Sequence, residues 1–147
     1  MSKIEERLAA LGLQLPAAGP PVGNYLGCKK VGDLLFAAGR VSSLAGEVGT
    51  DVTEAQAKIA ARDTMLMILA IVKNEIKDID DLKAVVKMQG FVRSAPGFTK
   101  QPAVIDGASD LLVEIFGEDG RHARTATGVN QLPFGASVQL DIIFQLK

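Results

Sequence analysis

The chain has no tryptophan, one tyrosine (Tyr25), one cysteine (Cys28) and one histidine (His122) in 147 residues. Each scarcity excludes something. A lone cysteine closes no internal disulfide, which fits a reducing compartment. One cysteine and one histidine do not assemble an ordinary zinc site, and no metal or cofactor is expected. Six Phe beside the single Tyr leave few platforms for stacking bases. Neither sign of charge dominates: 16 basic residues nearly cancel 17 acidic ones, so there is no electrostatic footprint for nucleic acid or an anionic membrane. The longest apolar run, residues 65–72, is far too short to span a bilayer. The charged start Met1-Ser2-Lys3-Ile4-Glu5-Glu6-Arg7 lacks the apolar core of a signal peptide. The expectation is a soluble, cytoplasmic protein with neither a nucleic-acid nor a membrane partner.

What is present is apolar residues at 48%, enough for a real core in one domain spanning 1–147. Ile4, Leu8 and Leu11 at helical spacing predict a short amphipathic helix, making residues 1–14 a helical extension. A connector with Pro16, Pro20 and Pro21 follows, which excludes regular helix. Strands are expected over 25–30 and 34–38, turned by Val31-Gly32-Asp33. Thr53-Glu54-Ala55-Gln56 is a capping box opening a helix that runs to about residues 74–77. Residues 82–92 hold Val85, Val86, Met88 and Phe91 and predict a strand. A second long helix starts at 99–102, buries Val104, Ala108, Leu111, Leu112 and Ile115, and ends at Gly117. Residues 121–131 and 136–146 are read as a closing antiparallel hairpin turned by Pro133 and Gly135. The sum is an α+β layer, one sheet with two helices on one face.

That hairpin carries the chemistry. If Gln131 pairs with Ala136, Arg124 lies opposite Ile143 and diagonal to Asp141. One face then holds Arg124, Ala126, Gly128, Gln139, Asp141 and Ile143, while Val138, Leu140, Ile142 and Phe144 point to the helices. Small Ala126 and Gly128 would leave a cavity beside Arg124 and Gln139, and a permanently charged fork with room around it suits a small carboxylate. An open face carrying both Arg and Ile invites a second subunit.

Several motifs resemble the Rid family of reactive intermediate deaminases, also called YjgF-like or L-PSP endoribonuclease-like proteins. They are Pro21-Val22-Gly23-Asn24-Tyr25, Leu35-Phe36-Ala37-Ala38-Gly39-Arg40-Val41, Ala123-Arg124-Thr125-Ala126, Leu132-Pro133 and Val138-Gln139-Leu140-Asp141. The likeness covers about residues 15–147, and the stretches Ile105-Asp106-Gly107-Ala108-Ser109-Asp110-Leu111 and Gly120-Arg121-His122-Ala123-Arg124 resemble a divergent branch with an added N-terminal helix. The resemblance implies a chorismate-mutase-like fold, a homotrimer with sites at subunit clefts, and hydrolysis of enamines or imines derived from amino acids to 2-keto acids and ammonia. It places Arg124 on the arginine that grips the substrate carboxylate, Tyr25 on the pocket aromatic and Asp106 on a helix asparagine. The sequence departs where the deaminases carry a carboxylate, having Gln139, and has Ala126 for a common cysteine. Gln139 hydrogen-bonds water but cannot take its proton, which keeps open two further readings: a non-catalytic small-carboxylate binder or regulator, and, from the family label alone, an endoribonuclease or translation inhibitor.

Each of these residues also has a plain structural reading. Arg124 would pair with Asp141 across the strands, Tyr25 would be a core residue with a wet hydroxyl, and Gln139 a polar residue on a half-buried strand. Asp106 reads more simply as a solvated helix residue, His122 as a surface residue, and Cys28 as a small buried one.

Overall fold

A computed structural model describes residues 1–19 and 23–147. The connector residues Pro20, Pro21 and Val22, two of which belong to the first family motif, lie outside the described residues. The elements in chain order are α1 (Lys3–Ala10), β1 (Cys28–Val31), β2 (Leu34–Val41), α2 (Glu54–Ile76), β3 (Leu82–Arg93), α3 (Gln101–Phe116), β4 (Ala123–Val129) and β5 (Val138–Leu146), with short 3-10 turns at Ile79–Asp81, Gly117–Gly120 and Pro133–Gly135. One five-stranded mixed sheet has the order β1-β2-β5-β3-β4, and α2 and α3 pack together on one face of it. The α+β layer is as expected. No helix among the described residues is long and apolar enough to cross a membrane.

Local signals set the element ends. Thr53 accepts from the Gln56 N–H while the Gln56 side chain accepts from the Thr53 N–H, closing both bonds of the capping box at the start of α2. Ser2 and Glu5 do the same for α1. Gly117 ends α3 with φ +65°, a conformation that costs glycine little. Gly32, at φ +61°, makes the tight β1–β2 turn in which Val31 pairs with Leu34.

The closing hairpin is corrected by the sheet order. β4 and β5 are not neighbours: β3 lies between them, parallel to β4 and antiparallel to β5. Val85, Met88 and Val92 of β3 are buried, and a strand with this apolar face is best satisfied inside the sheet, paired on both edges. The Pro133–Gly135 turn has the same local chemistry whether it closes a hairpin or steps across an intervening strand. In β3–α3–β4 the chain makes a parallel crossover through a helix, which sets β4 at the sheet edge beside α3.

Close approach of the two long helices rests on Gly107. A Cβ added there would sit 2.0 Å from the Lys58 carbonyl oxygen and 2.9 Å from its carbonyl carbon, backbone that has no room to retreat. Gly107→Ala is therefore expected to force α2 and α3 apart at a cost of about 3 kcal/mol, lowering the melting temperature by roughly 10 °C for a domain of this size. Thermal unfolding followed by circular dichroism measures it; an unchanged transition would contradict the tight crossing.

α1 is tied to α2 by an ion pair between Glu5 and Lys73, with Glu5 mostly shielded from solvent and Lys73 partly exposed. The Lys73 hydrogen bond, helped by the Ser2 N–H, pulls the Glu5 carboxyl down to about 2. Because the folded value is depressed, this stabilisation is fully present above the unfolded carboxyl value of about 4.3 and disappears as pH falls through about 2. Lys73 exposure limits its size, so Glu5→Gln is expected to cost no more than about 1 kcal/mol at neutral pH and to narrow that gap toward zero at the acid end. Urea unfolding at both pH values checks the difference.

Candidate functional site

Arg124 is the second residue of β4 and pairs in register with Met88, which pairs in turn with Ile142. Residues in register share a face of the sheet, and both Met88 and Ile142 are buried, so Arg124 lies on the helix side. The expected face of Arg124 is thereby reversed, while Gln139, Asp141 and Ile143 keep the open face expected of them. Gln139 pairs with Phe91 and through it aligns with Thr127, on the other face. Three residues along and two strands across separate Arg124 from Gln139 by roughly 14 Å within one chain. Asp141 shares the open face with Gln139, aligned with Gln89. It is not the partner of Arg124; burial raises its carboxyl, with nearby Lys87 opposing the shift.

What Arg124 meets is α3. Its Nη1 donates to Asp106 Oδ1 at 2.7 Å and to Ser109 Oγ at 3.2 Å. Nη2 reaches the Pro102 carbonyl only at 3.5 Å. Asp106 and Ser109 are three apart, hence on one side of the helix. The Arg124 side chain is 23% exposed and that of Asp106 45%, so the pair sits at a water-accessible rim. One end of the guanidinium is fixed, and the Nε/Nη2 edge is the part left to grip an anion.

The network continues to His122. Its Nδ1 lies 2.6 Å from the Gly120 carbonyl oxygen, and its Nε2 3.0 Å from Ser109 Oγ. A carbonyl only accepts, so Nδ1 carries the proton. In the neutral ring Nε2 then accepts from the Ser109 hydroxyl, which frees the Ser109 lone pairs for the Arg124 N–H. His122 is thus a member of the Arg124 cluster rather than an isolated surface residue, and Asp106 is the salt-bridged partner of Arg124 rather than a solvated helix residue. Sequence spacing gave a weak signal for both: Asp106 and Ser109 at i, i+3, and His122 with the parity of Arg124.

The small residues expected to leave a cavity beside Arg124 are in close contact with their neighbours. Ala126 packs against the core. A Cβ on Gly128 would lie 2.7 Å from Gln101 Nε2 and 3.0 Å from Ser94 Oγ, and Gln101 is held there by bonds to Ser94 Oγ and the Phe98 carbonyl. A Cβ on Gly90 would lie 2.5 Å from Ile105. The small residues let α3 settle onto the sheet. An apolar groove of about 350 Å³ lined by Leu44, Ile59 and Met67 involves none of the Arg124 cluster.

Tyr25 is brought to a different cation. It is 43% exposed, and the Arg40 guanidinium carbon lies 6.0 Å from its ring centroid. Arg40 Nε and Nη2 are buried with no hydrogen-bond partner among the described residues. Such orphaned donors are costly, and the AAGRV motif had not marked Arg40 as a site residue. Cys28 is buried, with its thiol pushed up to about 11 by burial and by the Glu75 charge, which leaves little thiolate for reaction.

The architecture and site define a small α+β protein with an arginine cluster on a sheet-edge strand. Residues 5–145 match the family model described as "YjgF/chorismate mutase-like, putative endoribonuclease", and the chain belongs to this YjgF-like (Rid) family. It is 39% identical to Protein TCP17 of Trypanosoma cruzi, the match covering 99% of this chain and 95% of that one. Among solved structures, the Agrobacterium tumefaciens protein Atu1372 superposes with a TM-score of 0.91 at 41% identity, over 99% of this chain and 93% of that one. RidA from an Antarctic Psychrobacter superposes with a TM-score of 0.58 at 24% identity, over 88% of this chain and 94% of that one, a likeness of fold alone.

Proposed function

We propose that this protein is an enamine/imine deaminase, hydrolysing reactive amino-acid-derived intermediates to 2-keto acids and ammonia in the cytoplasm, without cofactor. The observation that carries the reading is the Arg124 guanidinium, fixed at Nη1 by Asp106 and Ser109 with its other edge at a half-exposed rim. An arginine already oriented loses less freedom on gripping a carboxylate than one on a free tether. The reacting imine carbon is bonded to that carboxylate, so the grip also places it.

The same reading explains the separation of the other site residues. In one chain Gln139 and Arg124 face opposite sides of the sheet and do not touch one small substrate together. A homotrimer with clefts between subunits would set Gln139 and Tyr25 of one chain against Arg124 of another. The open face offers Phe36, 41% exposed, with Phe91 and Ile143 partly covered on the same side, apolar surface that a second copy would bury. Gln139 would then hold the attacking water by hydrogen bond. The test is ammonia and 2-keto acid release from freshly generated 2-aminoacrylate; no acceleration over buffer rejects the reading.

A second reading, a carboxylate-binding regulator without turnover, is favoured by one residue, Gln139, whose amide takes no proton. It predicts thermal stabilisation by 2-ketobutyrate without deamination. The endoribonuclease reading has only the family description behind it, and a net charge of −1 argues against a strong grip on RNA.

A further inference from the structure

We infer that Asp141 is the general base of the site, taking from the attacking water the proton that Gln139 cannot take; the inference rests on the deaminase reading above. Gln139 and Asp141 are two apart on β5 and so stand on the same, open face. Gly39 of β2 lies between them. A Cβ built on it would meet Gln139 Nε2 at 3.6 Å and Asp141 Cβ at 3.9 Å. The glycine is exposed and has no side chain, so it leaves open a spot that both functional groups border. A water above it can bond the Gln139 amide and an Asp141 carboxylate turned toward it, which is the reach a general base needs.

Asp141 is also uncommitted. Among the described residues it has no salt-bridge partner and no hydrogen-bonding side chain. On the same face β3 offers Lys87, aligned with Ile143, and Arg93 well beyond Gln139. From β2 come only the neutral Phe36, Gly39 and Val41. Burial raises the Asp141 carboxyl and Lys87 opposes the rise; a raised carboxylate is the better base near neutral pH. Phe36, Phe91 and Ile143 make the surrounding surface apolar. A second copy sealed over the whole face would strand an unpaired carboxylate, which is costly. Asp141 therefore belongs at the wet cleft, beside Gln139.

The step balances. Water attacks the iminium carbon, forming the C–O bond as the C=N π pair moves to nitrogen, and a water proton passes to the Asp141 carboxylate. Asp141 returns that proton to the carbinolamine nitrogen, the C–N bond breaks, and its electron pair leaves with ammonia. The hydroxyl proton goes to the ammonia, giving the 2-keto acid and ammonium with Asp141 ionised again. Nothing is oxidised or reduced. Asp141 meets the reacting water and is the catalytic residue; Gln139 positions that water.

Asp141→Asn keeps the shape and removes the base. It is expected to lower kcat about 100-fold, the lower end for loss of a general base, and to change 2-ketobutyrate affinity by less than about threefold. The base works ionised, so wild-type kcat should fall as pH drops through the raised Asp141 carboxyl, and the variant should lose that acid limb. Adding Gln139→Glu to Asp141→Asn puts a carboxylate beside the same spot and should return kcat by about tenfold or more. Co-expressed with Arg124→Ala, Asp141→Asn should recover about a quarter of wild-type activity in a random cyclic trimer. Co-expressed with Gln139→Ala it should stay at the mean of the two, because no chain then carries both residues. An unchanged kcat and acid limb in Asp141→Asn overturns the base and leaves the deaminase reading standing. So does a loss that Gln139→Glu fails to recover, or a loss matched by an equal loss of 2-ketobutyrate affinity, either of which reduces Asp141 to a scaffold. Recovery in the Gln139→Ala mixture overturns the pairing of the two residues in one cleft. Absence of wild-type turnover overturns the base and the deaminase reading together.

Discussion

Arg124→Ala is expected to lower kcat/KM for 2-aminoacrylate-derived imines by about a thousandfold. Two charge-assisted hydrogen bonds to a carboxylate are worth roughly 4 kcal/mol together, and each 1.36 kcal/mol is about tenfold in rate. The loss should fall on both KM and kcat, because the same grip binds the substrate and sets the imine carbon in place. Fold stability should change little. Arg124 lies at a rim, and Asp106, left without its partner, is 45% exposed and rehydrates. Arg124→Lys keeps the charge without the fork, and should recover only part of the activity. Steady-state kinetics with a thermal melt of each variant measures both. A variant that deaminates like wild type removes Arg124 from the mechanism, whatever the family pattern suggests.

The second large effect comes from geometry. Arg124 and Gln139 lie on opposite faces of one sheet, roughly 14 Å apart, so a substrate touched by both must lie between chains. Arg124→Ala and Gln139→Ala, each expected to be crippled, the second by about 10- to 100-fold, should therefore rescue one another. When the two variants are co-expressed at equal levels in a random cyclic trimer, about one cleft in four draws native Arg124 from one chain and native Gln139 from its neighbour. The mixture should approach about a quarter of wild-type activity, well above the mean of the separate variants. A mixture at that mean would sink the shared cleft and place the whole site within one protomer.

These expectations show which statements each level of description supports. The capping box at Thr53, the glycine at Gly117 and the alternation in β5 were legible because they are short-range: each depends on residues a few positions apart and on dihedral preferences that travel with the residue. The family motifs around Arg124 and Gln139 were legible in the same sense, as words in the right order. The pairing of β4 with β5 was misread because a Pro-Gly turn of one shape serves both a hairpin and a step across an intervening strand. The cavity beside Ala126 was misread for a related reason, since small side chains make equal sense beside a ligand and beneath a closely packed helix. Gly90 and Gly128 turned out to lie beneath α3, with Ile105 and Gln101 in the space.

By itself, then, the sequence determined the identity and order of the elements, the one-sheet α+β class, and the presence of an arginine set in family-like surroundings. Only the tertiary structure decided that β3 separates the two last strands, that Arg124 turns toward α3, and that Asp106, Ser109 and His122 become its companions. Helix ends and strand alternation are fixed by local hydrogen bonds and sterics. Strand neighbours and facing partners are fixed by how the whole chain buries its apolar strand faces together, a competition no local window contains.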